Sequence, residues 1–125
     1  MSAAEAWLEG GCHCGRVRFR ARGRREALHC NCSICRMKGF LHWIVPPEDF
    51  ELLRGSDELT TYQFNTGVAK HTFCRHCGVQ PFYTPRSHPM HWDVNVHCLD
   101  GDVIETFAVG EFDGKNWEAN IDSIR

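Results

Sequence analysis

The sequence has 125 residues, of which 42% are apolar and 24% charged, a composition typical of one globular domain spanning 1–125. Its net charge of −2 argues against a general nucleic-acid binder. We find neither a basic, apolar leader nor the ~20 consecutive apolar residues of a membrane span. We therefore expect no membrane association and a cytoplasmic, or alternatively nuclear, location.

Short strands dominate the elements that the sequence predicts in chain order. In 16–22, Val17, Phe19 and Ala21 alternate with four arginines, the period-two pattern of a strand with one buried face. Helical turns are predicted only near 33–38, 47–50 and 117–121. Seven further β-prone runs are bounded by turn residues: 40–45, 50–53, 59–64, 68–73, 79–83, 91–98 and 103–109. The pattern predicts a mostly-β fold of small sheets with few short helical turns.

Cysteine is the unusual feature of the composition, since the chain has eight. In a reducing compartment, clustered thiolates bind metal more often than they pair as disulfides. The eighth, Cys98, stands alone in a predicted strand, where we expect it to be a buried structural residue. The other seven form three clusters: Cys12 with Cys14; Cys30 with Cys32 and Cys35; Cys74 with Cys77. The clusters predict two zinc ions per chain that pin the small sheets together.

The first and third clusters have the pattern of one structural zinc site. Each is a close pair of cysteines followed by a glycine, C-x-C-G from Cys12 and C-x-x-C-G from Cys74. This spacing lets both sulfurs of a pair face one ion, and the glycine lets backbone N–H groups approach them. Together the pairs make a closed Cys₄ tetrahedron, with ligands Cys12, Cys14, Cys74 and Cys77.

The middle cluster supplies only Cys30, Cys32 and Cys35. Three protein ligands and one open position are the pattern of catalytic zinc, and an added thiol is a natural fourth ligand. Three alternatives remain open at this stage. The cysteines could be redox-active dithiols, they could be small buried residues, or a histidine such as His29 or His13 could complete a second structural site.

A row of arginines is the other local feature of the sequence. It has two explanations: a solvated strand face that offsets the charge of thiolate–zinc sites, or an attractive surface for an anionic ligand. Its six members lie within 16–25: Arg16, Arg18, Arg20, Arg22, Arg24 and Arg25.

Three motifs resemble the glutathione-dependent formaldehyde-activating enzyme family: G-G-C-H-C-G-x-V-R-F at 10–19, C-N-C-S-I-C-R at 30–36 and F-C-R-H-C-G-V-Q at 73–80. The resemblance is strongest to the centromere protein V branch of the family. That branch is indicated by I-V-P-P-x-x-F at 44–50, T-T-Y-x-F-N-T at 60–66, F-Y-T-P-R-S at 82–87 and H-C-L-D at 97–100.

The resemblance implies a fold of coiled sheets called a β-tent and an activity that condenses formaldehyde with glutathione. The product is S-hydroxymethylglutathione, so the reaction is that of a carbon–sulfur lyase run in reverse. It also implies the same ligand sets, with structural zinc on Cys12, Cys14, Cys74 and Cys77 and catalytic zinc on Cys30, Cys32 and Cys35. Members of the centromere protein V branch are associated with chromatin and microtubules.

Two main hypotheses for function follow. In the first, glutathione places its sulfur on the open zinc position and attacks an aldehyde, while the arginine row or Arg36 and Lys38 hold its carboxylates. No side chain is singled out as a general acid or base. In the second, the chain is a non-catalytic zinc scaffold for a protein or nucleic acid. The open coordination position and the lack of a long basic or proline-rich N-terminal extension favour the enzyme.

Overall fold

A computed structural model describes residues 6–64 and 66–123, and within these ranges the chain forms ten short strands. The strands are β1 (Leu8–Gly11), β2 (Arg18–Ala21), β3 (Glu26–Cys30), β4 (Leu41–Val45), β5 (Phe50–Arg54), β6 (Leu59–Tyr62), β7 (His71–Cys74), β8 (Phe82–Tyr83), β9 (Trp92–Asn95) and β10 (Ala108–Phe112). Two α-helical turns are α1 (Ser33–Lys38) and α2 (Trp117–Asn120). Short 3₁₀ turns include Pro47–Asp49, Val96–Cys98 and Val103–Thr106.

Three small sheets organise the chain. The largest has the order β10-β3-β4-β9-β8, in which β10 and β3 are parallel and the other pairs antiparallel. A second sheet has the order β1-β2-β5, and a third pairs β6 with β7. The expectation of a mostly-β fold with small sheets and few short helices is confirmed.

The core lies between the first two sheets. On β2 and just before it, Val17, Phe19 and Ala21 are completely buried, as their alternation predicts. The Phe19 ring lies 5.8 Å from that of Phe50 and 5.6 Å from that of Phe82, which joins β2 and β5 to the larger sheet. Burying one such side chain contributes roughly 1.5–3 kcal/mol, so these rings hold the sheets in a defined position.

Several predicted runs differ from the observed elements. Strands β1 and β3 were not predicted, because neither has a clear alternation of apolar and polar residues. The run 91–98 is a strand only through Asn95, whose side chain then accepts a hydrogen bond from the His97 N–H and begins a 3₁₀ turn. Cys98 therefore lies in a turn and is only partly buried, and the expectation of a buried strand residue is wrong.

Candidate metal centres

The first and third cysteine clusters meet at one point. The four sulfur atoms of Cys12, Cys14, Cys74 and Cys77 lie within 4.8 Å of one another and could hold a metal ion. Cys14 Sγ is 3.6 Å from the Sγ atoms of both Cys12 and Cys74. Sulfur ligands of a tetrahedral zinc are separated by about 3.8 Å, given Zn–S bonds of about 2.3 Å. The arrangement is therefore compatible with a Cys₄ zinc site.

Local backbone geometry directs these sulfurs toward each other. Cys74 ends β7, and the turn that follows closes with a hydrogen bond from the Gly78 N–H to the Cys74 carbonyl. Gly78 has φ of 78°, a left-handed conformation that disfavours a side chain. The N–H groups of Val17 and His76 donate to the sulfurs of Cys12 and Cys74, at 3.4 Å each. These donors stabilise thiolates, the form that metal binds.

Arg16 is a cation that contacts this group of sulfurs through Cys14. Hydrogen bonds from its backbone and side chain lower the pKa of the Cys14 thiol to about 6. A thiol with that pKa is already largely a thiolate at neutral pH. Metal binding at this site therefore has to displace less of the thiol proton, which favours binding.

The middle cluster forms a second group around the start of α1. Cys30 ends β3, Cys32 is the N-cap residue of α1 and Cys35 is a buried residue within it. The thiols of Cys30 and Cys35 hold the pKa of Cys32 far below its usual range, while Cys30 and Cys32 raise the pKa of Cys35. Negative charges on thiols this close repel one another, so one thiol ionises at the expense of its neighbours. A bound cation would offset this repulsion.

A histidine lies beside two members of this second group, Cys30 and Cys35, whereas Cys32 interacts with their thiols but is not part of the set of donors close to the histidine. The Sγ atoms of Cys30 and Cys35 and a ring nitrogen of His42 lie within 4.8 Å of one another. His42 lies on β4, and its Nδ1 is 2.6 Å from Asp93 Oδ2 on β9. Both side chains are buried, with exposed fractions of 6% for His42 and 1% for Asp93.

The histidines that the sequence suggested as ligands do not reach this cluster. His13 is exposed, and His29 is directed to an exposed contact with Glu111 at 3.2 Å. His42 and Asp93 were missed because each stands in a run that was assigned only as strand. For His42 the available signal was a single polar residue in the otherwise apolar run 40–45, whereas Asp93 is one of several polar residues that alternate in 91–98. The two residues become a recognisable pair only when β4 pairs with β9.

A pocket of about 510 Å³ opens over the second group. Its lining includes Cys30, Cys32, Cys35 and His42, together with aromatic side chains such as Phe64 and Trp117. Two basic side chains, Arg86 and Lys115, also line it. The volume lies within the range of small-molecule sites, which is about 300–1,000 Å³.

The basic residues proposed from the sequence lie elsewhere. Neither Arg36 nor Lys38 lines the pocket. The Lys38 ammonium is instead hydrogen-bonded to Gln80 Oε1 and lies 3.1 Å from His71 Nδ1, and burial lowers its pKa. The carboxylates of a pocket ligand would therefore meet Arg86 and Lys115.

The arginine row is compensated by its own neighbours. Arg18 contacts Asp100, Arg20 contacts Glu51, and Arg22 contacts Asp49. Arg16 contacts the carboxylate of Glu58, and Arg24 contacts that of Glu26. Arg25 donates a hydrogen bond to the hydroxyl of Thr106. These contacts favour the explanation of a solvated strand face over that of an anion-binding surface.

These features define a class of protein: a small, mostly-β protein with cysteine groups that are compatible with metal ions. The sequence profile of the glutathione-dependent formaldehyde-activating enzyme family matches residues 7–109, and the chain belongs to that family. It is also similar to a structural genomics target, a Rhodobacter sphaeroides protein with a crystal structure, at 37% identity and a TM-score of 0.74. That match covers 84% of this chain and all of the other. Among the described residues, no helix is long and apolar enough to cross a membrane.

Proposed function

We propose that this protein is a zinc-dependent enzyme of the carbon–sulfur lyase type that condenses glutathione with formaldehyde or a related aldehyde. The observation that carries the proposal is the three-cysteine group Cys30, Cys32 and Cys35 in the lining of a pocket large enough for a tripeptide. Family membership supports the same chemistry. We place the protein in the cytoplasm, with a nuclear location as the alternative, and in the centromere protein V branch of its family.

Two zinc ions fit the residues present. Cys12, Cys14, Cys74 and Cys77 would hold a structural ion, because four thiolates complete a tetrahedron. Cys30, Cys32 and Cys35 would hold the second, whose chemistry is to keep an incoming thiol in its thiolate form.

The chain's own residues would bind and orient the glutathione. Arg86 and Lys115 suit its carboxylates. Arg86 also contacts Glu118 at 3.6 Å. This ion pair is longer than those of Arg20 and Arg22, at 2.6 and 2.9 Å. The Arg86 guanidinium lies 3.6 Å from the centroid of the Trp117 ring, which limits its freedom. Phe64 and Trp117 contribute apolar surface to the walls of the pocket. In the reaction a sulfur–carbon bond forms, the carbonyl π electrons move to oxygen, and that oxygen gains the proton that the thiol lost. No oxidant or reductant is required.

The competing hypothesis is a zinc scaffold of the centromere protein V type, which binds a protein or nucleic acid. Its support in the sequence was the arginine row, and the carboxylate contacts of that row weaken this support. The two hypotheses differ most directly in whether the pocket binds a free thiol.

Calorimetry with glutathione tests the proposed function. We expect zinc-loaded protein to bind millimolar glutathione and to bind S-methylglutathione far more weakly, because zinc binds a thiolate much more strongly than a thioether, which has no proton to lose. Affinity should rise by about tenfold per pH unit below pH ~8.5, since binding releases the thiol proton. Equal affinity for the two compounds, or no heat with either, would contradict zinc–thiolate binding and favour the scaffold.

Replacing Arg86 with alanine should weaken glutathione binding by about tenfold, the loss expected for one hydrogen bond to a charged group. The matched control is Arg20→Ala. Both arginines contact a glutamate and lie over a tryptophan ring, and their side chains are similarly exposed, at 31% for Arg86 and 37% for Arg20. Only Arg86 lines the pocket. Equal losses in the two variants, measured by calorimetry, would exclude a specific role for Arg86.

A further inference from the structure

The second cysteine group has a donor that the family's motif cysteines do not include. A ring nitrogen of His42 lies within 4.8 Å of both Cys30 Sγ and Cys35 Sγ. In a tetrahedral zinc site the sulfur–nitrogen separation is about 3.6 Å, given Zn–S and Zn–N bonds of about 2.3 and 2.05 Å. Small side-chain adjustments would therefore place all three donors on one ion.

Hydrogen bonding distinguishes the two ring nitrogens of His42. Its Nδ1 is 2.6 Å from Asp93 Oδ2, and because a carboxylate only accepts, Nδ1 carries the hydrogen. In the tautomer with its hydrogen on Nδ1, the lone pair of the ring is on Nε2. That atom is buried and has no hydrogen-bond partner among the described residues. A buried polar atom in this condition indicates an absent partner, and a metal ion beside two thiolates is one that it could take.

The neighbours of His42 favour this role over that of a packed core residue. Its ring faces the pocket that the cysteines line, and it packs against Phe40 at a centroid distance of 4.7 Å. Tyr83 Oη lies 3.5 Å from Nδ1, on the Asp93 side of the ring. A carboxylate that holds the remote nitrogen of an imidazole is the usual outer partner of a histidine metal ligand.

We propose that His42, through Nε2, is the fourth ligand of the metal held by Cys30, Cys32 and Cys35. Asp93 is its positioning residue. The inference rests on the second metal of the proposed function. It alters one feature of that site, the open coordination position, because the metal would then be held by three sulfurs and one nitrogen. A glutathione sulfur would exchange with His42 instead of filling an empty position.

Metal affinity measured by chelator competition tests this assignment. We expect His42→Ala to lower the affinity for the second metal by at least 100-fold. Asp93→Asn should lower that affinity by about tenfold, near the lower end of effects for outer partners of metal ligands. The matched control is His71→Ala. His71 is equally buried, lines the same pocket and also has an Nε2 without a partner among the described residues, but it is outside the cysteine group. Its replacement should leave metal affinity unchanged within twofold, and equal losses for His42 and His71 would overturn the proposal.

Wild-type protein provides a test that does not depend on the folding of any variant. With ¹¹³Cd in both sites, scalar coupling from one cadmium to the ring protons of His42 is expected. Two bound cadmium ions without that coupling would overturn the His42 assignment and leave the proposed function standing. A wild-type protein that takes up only one metal would overturn both.

Discussion

Replacing Cys74 with serine is expected to unfold the protein. The Cys74 side chain is completely buried at the end of β7, and its sulfur lies 3.6 Å from that of Cys14, near the end of β1. In the proposed structural site one ion joins these distant segments. Structural zinc contributes roughly 10–16 kcal/mol of apparent binding free energy near neutral pH, which is comparable to a whole domain's net stability of about 5–15 kcal/mol. Cys12→Ser should have the same effect.

Thermal unfolding followed by circular dichroism, together with zinc analysis, measures this effect. Cys98→Ser is the matched control, because Cys98 is partly buried and lies outside both groups of candidate ligands. It should keep both zinc ions and lower the melting temperature only slightly. A cooperative transition of the Cys74→Ser protein at the wild-type temperature would refute the structural assignment.

Replacing Cys32 with serine is expected to have a large effect of a different kind. The zinc content should fall from two ions per chain toward one, and glutathione binding should fall by more than 100-fold, while the fold remains. Cys32 is the N-cap residue of α1, a position where serine is among the most favoured residues. The helix should therefore persist when the sulfur ligand is lost. The three cysteines also belong to one short stretch of chain, so their metal is not needed to join β1 to β7.

Metal analysis, calorimetry and a thermal melt of the same preparation separate the possible results. Loss of the whole fold would identify the second group as another structural site. Retention of two zinc ions with unchanged glutathione binding would show that Cys32 is not a ligand. Cys35→Ser should also lose the second metal, but Cys35 is buried against Phe112 and Ile121, so some loss of stability is expected there as well.

The sequence alone determined the features that depend on residues close together in the chain: a buried strand face, the close cysteine pairs and a short helical turn. The alternation of Val17, Phe19 and Ala21 predicted the buried face of β2, and each close cysteine pair predicted sulfurs directed to one point. The short helical turn at Ser33–Lys38 was also predicted. These features follow from the two-residue period of strands and from tight turns, which require no knowledge of distant segments.

Only the tertiary structure decided which distant residues meet. His42 contacts Asp93 because β4 pairs with β9, and the two residues are 51 positions apart. Arg18 contacts Asp100, which is 82 positions away in the sequence. Contacts of this kind neutralise the positive charge of the arginine row. Arg86 lines the pocket although no pattern in the sequence distinguishes it from other arginines. The physical reason is that strand order and register arise from packing of the whole core, whereas spacing along the chain reports only on local geometry.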